Sequence, residues 1–239
     1  MMNLHNHSIW SDGSYNIVEI VEYATKNKLQ YLGISDHYLT TKISSMNNSS
    51  LKKYIEEINR LKDSNNNAIK LFAGAEIDFT PRTDFKNMDF GLLNQLDYIL
   101  FENVQNGNER GLALWQLIEF LDKIEVLVGL AHTNLNKNFS KVDISSVLSL
   151  FESKNIFIEL NTSPIYTKYG KYYFELSIEW FEKIKNYNIP ISIGSDMHDD
   201  MKDLLNFNIA AEFISSNKLE KNIKILVDTL ERISNHARY

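Results

Sequence analysis

Apolar residues along the chain follow two alternating rhythms. Short runs rich in Val, Ile, Leu and Phe recur at 2–7, 30–37, 70–79, 97–103, 126–133, 156–162 and 189–198. That length and content suit strands buried on both faces. Between the runs, apolar positions repeat every three to four residues. Ile17, Ile20, Val21 and Ala24 form such a stripe, which predicts a helix over 16–28 with Asn16 as its N-cap. The same spacing predicts helices over 51–62, 111–123, 143–153, 175–186 and 218–234. Pro190 stops the helical stretch before the last strand.

Strands and helices alternating in this way predict a parallel sheet with helices outside it. No Pro/Gly/Ser-rich linker interrupts the pattern, so one domain over residues 1–239 is expected. A closed or nearly closed α/β barrel is the natural architecture, with an open doubly wound sheet as the alternative.

Composition narrows the chemistry more than the fold. The chain has 239 residues, of which 44% are hydrophobic, enough for a core without staples. It has no cysteine, which excludes disulfides, a thiolate nucleophile and Cys-ligated zinc. The net charge of -6 argues against tracking long nucleic acid, but not against a small anion held by metal ions. The start MMNLHNHSIW lacks the features of a signal peptide, and no stretch approaches the ~18 apolar residues of a membrane helix. A cytoplasmic protein without a membrane partner is therefore expected. The Asn-rich stretches NNSS and SNNN read as loop filler.

Candidate chemistry collects where the predicted strands end. Of six histidines, His5, His7, His37, His132 and His198 lie at or just past such ends. In a parallel barrel all strands end on one face, so these residues converge. In HNHSIWSDG, His5 and His7 are two apart and point the same way along a strand, with Asp12 in the next loop. GISDH brings Asp36, which also reads as a turn cap, and His37. In GAEIDF, Glu76 sits inside an apolar strand, where an unpaired carboxylate is costly. A metal would satisfy it, as would a buried ion pair; Asp78 reads as structural. GLAHTN supplies His132, and IGSDMHD supplies Asp196 and His198. Glu159 and Asn161 in FIELNTS read as ordinary polar positions in the barrel mouth. Imidazole and carboxylate donors suit zinc, manganese or iron(II), and eight of them exceed what one ion accepts. Two or three divalent ions are expected, with Glu76, Asp196 and His198 as candidate catalytic residues.

These five clusters, in this order, resemble the PHP (polymerase and histidinol phosphatase) family. The resemblance implies a distorted (β/α)7 barrel with a di- or trinuclear metal centre. It implies that His5, His7, Glu76 and Asp196 hold one ion. Glu76 would bridge to a second with His132, and Asp12, His37 and His198 would hold a third. The chain departs from the family after the fourth strand. A further histidine is usual there, but this sequence reads DYILFENVQN, with Val104 or Gln105 at the expected place. Glu102 is the candidate replacement, unless it faces solvent or pairs with Arg110; Asn103 is also near.

The resemblance implies a metal-dependent phosphoesterase acting on a small phosphorylated substrate. Lys42, Arg82, Arg110 and Lys168 lie in predicted loops on the face that would meet the phosphate. The loops 38–50, 81–90 and 164–173 would set specificity. A nuclease on short strands, an amidohydrolase and a non-catalytic binding module are the alternatives. The amidohydrolase reading lacks a lysine at the centre of any predicted strand. Oligomeric state is not encoded legibly.

Overall fold

The structure is a computed structural model that describes residues 1–64 and 69–236. Asn65–Asn67 of the SNNN stretch therefore lie outside the described residues. Each predicted strand contains an observed one, trimmed at the ends. They are β1 (Met2–Asn3), β2 (Tyr31–Ile34), β3 (Lys70–Asp78), β4 (Tyr98–Glu102), β5 (Leu127–Leu130) and β6 (Ile156–Asn161). A short antiparallel hairpin follows, β7 (Thr167–Lys168) with β8 (Lys171–Tyr172), and then β9 (Ile191–Gly194). Among the described residues, β1 to β6 and β9 form one parallel sheet in sequence order.

The sheet closes on itself. Beyond the end of β1, the Leu4 amide donates to the Ile193 carbonyl at 2.9 Å and the His7 amide to the Met197 carbonyl at 2.9 Å. The Asp196 amide donates to the His5 carbonyl at 2.8 Å. These bonds join the first strand to the last and exclude the open doubly wound sheet. The fold is a distorted (β/α)7 barrel.

The outer helices form where the apolar stripes predict them. α1 (Ile17–Lys26) starts at Asn16, whose side chain accepts from the Glu19 amide while Glu19 reaches back to the Asn16 amide. It buries Ile17, Ile20, Val21 and Ala24. Full burial is worth about 1.5–3 kcal/mol for each isoleucine. α2 (Asn48–Ser64) begins within NNSS, which corrects the reading of that stretch as loop filler. Asn47 accepts from the Ser50 amide, and the Ser50 hydroxyl accepts from the Asn47 amide, so the polar run is a helix start. The remaining helices are α3 (Phe90–Leu93), α4 (Leu114–Leu121), α5 (Leu135–Asn138), α6 (Ile144–Ser153), α7 (Ile178–Ile184), α8 (Asn208–Asn217) and α9 (Glu220–His236). Among the described residues no helix is long and apolar enough to cross a membrane.

α9 has a different role from the outer helices. Its Leu226 and Leu230 are fully buried against Met2, Leu4, Phe72, Tyr98, Leu127 and Phe157, most of them near the starts of strands. α9 therefore plugs the N-terminal mouth of the barrel. Tyr98 fills the interior above it because Gly74 leaves room; a Cβ there would lie 2.3 Å from the ring. The opposite mouth, where the strands end, is lined by polar side chains.

Candidate metal centre

All eight sequence-nominated side chains reach that C-terminal mouth. His5, His7 and Asp12 come from the segment after β1, and His37 from the end of β2, where its backbone bridges to Glu76. Glu76 lies within β3, His132 follows β5, and Asp196 and His198 follow β9. Two overlapping groups result. In one, His5, His7, Glu76 and Asp196 offer ligand atoms all within 4.8 Å of one another. In the other, His7, Asp12, His37 and His198 do the same. His132 adjoins the first through Glu76, with Nε2 2.9 Å from Oε1.

The spacing in the first group fits a tetrahedral ion. His5 Nε2 lies 3.1 Å from His7 Nε2, 3.2 Å from Glu76 Oε2 and 3.2 Å from Asp196 Oδ1. His7 Nε2 lies 3.3 Å from Glu76 Oε2 and 3.0 Å from Asp196 Oδ1. Four donors about 2.0 Å from one tetrahedral ion sit about 3.3 Å apart. The donor set fits as well: two imidazole nitrogens and two carboxylate oxygens aim at one point, offering more lone pairs than protons. In the second group His198 Nε2 is 3.1 Å from Asp12 Oδ2 and His37 Nε2 is 3.9 Å from it. His37 Nδ1 is buried without a hydrogen-bond partner and lies 3.4 Å from Glu76 Oε2. Such an orphaned nitrogen is costly unless a cation uses its lone pair.

Neighbours hold these groups in place. His5 Nδ1 donates to Glu159 Oε1 at 2.8 Å, and the His132 amide donates to Glu159 Oε2 at 2.6 Å. One carboxylate thus orients two members of the cluster, although its sequence context reads only as an ordinary polar position. Asn161 donates to the same carboxylate at 3.1 Å. Gly194 makes the approach feasible, because a Cβ there would lie 1.9 Å from Glu159 Oε1. His198 Nδ1 donates to the Asp196 carbonyl at 2.8 Å, which turns Nε2 toward the cluster. Asp36 accepts from the Ser8 amide, the Ser8 hydroxyl and the Ser11 hydroxyl, at 2.8, 2.6 and 2.6 Å. It anchors the loop after β1. Asp78 is likewise structural, paired with Arg82 at 2.8 Å and with Asn103 at 2.9 Å. His132 and Asp196 have φ of 30° and 53°, a left-handed conformation that costs about 1–3 kcal/mol and is typical of functional sites.

Replacing Glu159 with glutamine is expected to weaken metal affinity about 10- to 100-fold, the usual effect of losing a carboxylate behind a ligating histidine. Metal titration with a competing chelator measures this. Unchanged affinity would mean that His5 needs no orienting partner.

The electrostatics follow from crowding buried acids and bases. Burial alone would lower the His7 imidazole, but the Asp196 and Glu76 carboxylates outweigh it and hold it at about 10. His5 is likewise raised, with Glu159, Glu76 and Asp196 outweighing burial. Burial would raise Glu76 and Asp196, but the histidines hold both well below the usual carboxylate range. The metal-free cluster therefore carries imidazolium protons at pH 7. An ion needs the lone pairs, so its binding displaces those protons. Metal affinity should rise with pH toward about 10, the His7 value. Calorimetry in buffers of different ionisation enthalpy should record proton release at pH 7. Binding without proton release would contradict the paired-imidazolium state.

One corner differs from the rest. Glu102 is buried and forms a further ligand-like group with His37 and Glu76. It pairs with Lys42, not with Arg110: Lys42 Nζ lies 2.8 Å from Oε2 and 3.1 Å from Oε1. Burial and the Glu76 charge push Glu102 up to about 7. Burial would lower Lys42, but Glu102 outweighs it and keeps the ammonium charged. Val104, one of the two positions where the family histidine would fall, is fully buried in the apolar core. Among the other loop cations, Arg82 is taken up by Asp78 and Glu109, and Lys168 lies over the exposed Tyr169 ring. A cavity of about 190 Å³ opens beside this corner, lined by Lys42, Glu102, His132, Lys137, Tyr166 and Tyr173 among others. Tyr166 stacks face to face on His132 at 3.8 Å. A larger hollow of about 740 Å³ lies around Leu96, Leu127 and Arg232, away from these side chains.

A parallel seven-stranded barrel with a histidine–carboxylate cluster at its C-terminal mouth defines a class of metal-binding barrel proteins. The PHP domain model matches residues 3–163, more than half of the chain, and the chain belongs to the PHP domain family. A DNA polymerase/3'-5' exonuclease, PolX of Bacillus subtilis (strain 168), is 25% identical over 210 residues. That match covers 84% of this chain and 35% of PolX, so the chain spans about a third of that relative's length. A histidinol phosphate phosphatase from Lactococcus lactis subsp. lactis Il1403, solved with zinc, L-histidinol and phosphate, superposes with a TM-score of 0.65. It is 17% identical, covering 90% of this chain and 93% of its own. A chain of archaeal ribonuclease P with mature tRNA gives a TM-score of 0.57 at 17% identity, covering 100% of this chain and 92% of its own. At these identities the two structures establish a shared fold.

Proposed function

We propose that this chain is a metal-dependent phosphoesterase that hydrolyses a small phosphomonoester, with residues 1–239 as one catalytic domain. The observation that carries the reading is the pair of His/carboxylate cages sharing His7 and opening beside a small cavity with a lysine at its edge. His5, His7, Glu76 and Asp196 would hold one divalent ion, and Asp12, His37 and His198 another. His132 would meet the outer oxygen of Glu76. Zinc, manganese and iron(II) all suit these donors.

Divalent ions there supply Lewis acidity toward phosphoryl oxygens and water. The chain's own residues do the rest. Glu76 and Asp196 provide the anionic charge that keeps cations in a buried site. Glu159 fixes the orientation of His5. His198, 25% exposed and the most accessible of the imidazoles in the ion-pair network, is placed to exchange a proton with solvent. Lys42, Lys137 and Tyr166 line the cavity where a phosphorylated substrate would sit.

The zinc, L-histidinol and phosphate in the Lactococcus protein support a small monoester substrate. The net charge of -6 and the cavity size weigh the same way against long polyanions. The exonuclease named for the PolX relative makes short oligonucleotides the second reading. A panel of phosphomonoesters, histidinol phosphate included, alongside short oligonucleotides separates them. Metal-dependent phosphate release from one or a few monoesters is the expected result. Cleavage of oligonucleotides alone would favour the nuclease, and no turnover would favour a binding module.

A further inference from the structure

The corner at Glu102 has the donors of a metal site but is differently filled. His37, Glu76 and Glu102 present ligand atoms within 4.8 Å of one another. The Glu102 carboxylate, however, already accepts from Lys42 at both oxygens and from Asn103 Nδ2 at 3.0 Å. His132 Nε2 stays 4.0 Å from Glu102 Oε2, beyond hydrogen-bonding range. A divalent ion bound by Glu102 would sit against an ammonium that already contacts both oxygens, at the cost of like-charge repulsion. Two buried carboxylates facing one another still need a cation nearby, and Lys42 supplies it. Two of its three N–H groups are committed to Glu102. The side chain is 34% accessible and lines the same cavity as His132.

We propose that the Lys42 ammonium, and not a metal ion, is the resident cation at Glu102, so that the centre holds two metal ions per chain and Lys42 offers its remaining N–H to the substrate's phosphoryl oxygens. This rests on the phosphoesterase reading and adds to it. A lysine is a point charge that binds phosphate well without demanding ligand geometry. Glu102 holds its ammonium through both carboxylate oxygens, which makes Glu102 a positioning residue.

The test counts ions and measures anion binding, without relying on turnover. Protein stripped with chelator, reloaded with manganese or zinc and desalted is analysed for metal per chain. Two ions per chain are expected. Inorganic phosphate is then titrated calorimetrically into loaded wild type and into the double variant Lys42→Met/Glu102→Gln. The double variant removes both charges at similar volume, so it leaves no buried charge unpaired. It should still hold two ions and bind phosphate about tenfold more weakly or worse, the effect of one lost charge-assisted contact. Three ions in wild type overturn the proposal while leaving the metal centre intact. Unchanged phosphate affinity in the double variant overturns it as well. No bound ion in wild type defeats the metal centre and this proposal together. Should the double variant fail to fold, the wild-type count still decides.

Discussion

Replacing Glu76 with glutamine is expected to abolish phosphoester hydrolysis, by about 10³-fold or more, while leaving the chain folded. Glu76 meets four of the cluster's histidines. One oxygen lies 3.2 to 3.4 Å from His5, His7 and His37, and the other lies 2.9 Å from His132. Glutamine keeps the shape but loses the charge that offsets buried cations. The fold should survive because the surrounding imidazoles can shed their protons when the carboxylate is lost. The cost then falls on metal affinity. Phosphate release, metal content and the far-ultraviolet circular dichroism of the variant check this together. An active Glu76→Gln protein would mean that this carboxylate is dispensable.

The largest expected loss of stability comes from the other end of the barrel. Phe157 is fully buried in the interior cluster, edge-on to Tyr98 at 6.3 Å. Its ring lies where a Cβ on Gly129 would come within 2.3 Å, so the site is filled from both sides. A phenylalanine packed this tightly leaves a cavity that closely packed neighbours cannot close. Phe157→Ala should cost about 3–5 kcal/mol, lowering Tm by roughly 6–20 °C at about 2–4 °C per kcal/mol for a chain of this size. Tyr169→Ala, at an 86% exposed ring, should change stability by no more than about 0.5 kcal/mol. Thermal unfolding of the two variants makes the comparison. Equal effects would contradict a close-packed interior.

Much of this architecture is legible in the sequence. Short continuous apolar runs and period-3.6 stripes locate the seven barrel strands and the main outer helices, because the strands are buried on both faces and each helix buries one apolar stripe. The convergent side chains stand out in the sequence because polar residues at the ends of apolar strands have no packing reason to be there. What stays hidden depends on residues far apart. Glu159 reads as an ordinary polar position; only the approach of β1 to β6 and β9 shows that it braces His5 and His132. The Lys42–Glu102 pair joins a loop to a strand end 60 residues away, in place of the nearer sequence candidate, Arg110. α9 reads as one more amphipathic helix, and its place as the barrel plug is a property of the closed sheet. α8 and the β7–β8 hairpin carry weak local patterns, since the hairpin is two residues a side and mostly exposed.

Phosphate release by chelator-stripped and metal-reloaded protein, measured side by side on the same phosphomonoester, tests the central claim most directly. Stripped protein should be folded and inactive, and manganese, zinc or iron(II) should restore turnover in proportion to the ions bound by the His5–His7–Glu76–Asp196 and Asp12–His37–His198 groups. Turnover that survives complete removal of metal, or reloaded protein that binds ions and hydrolyses no phosphoester, would contradict it.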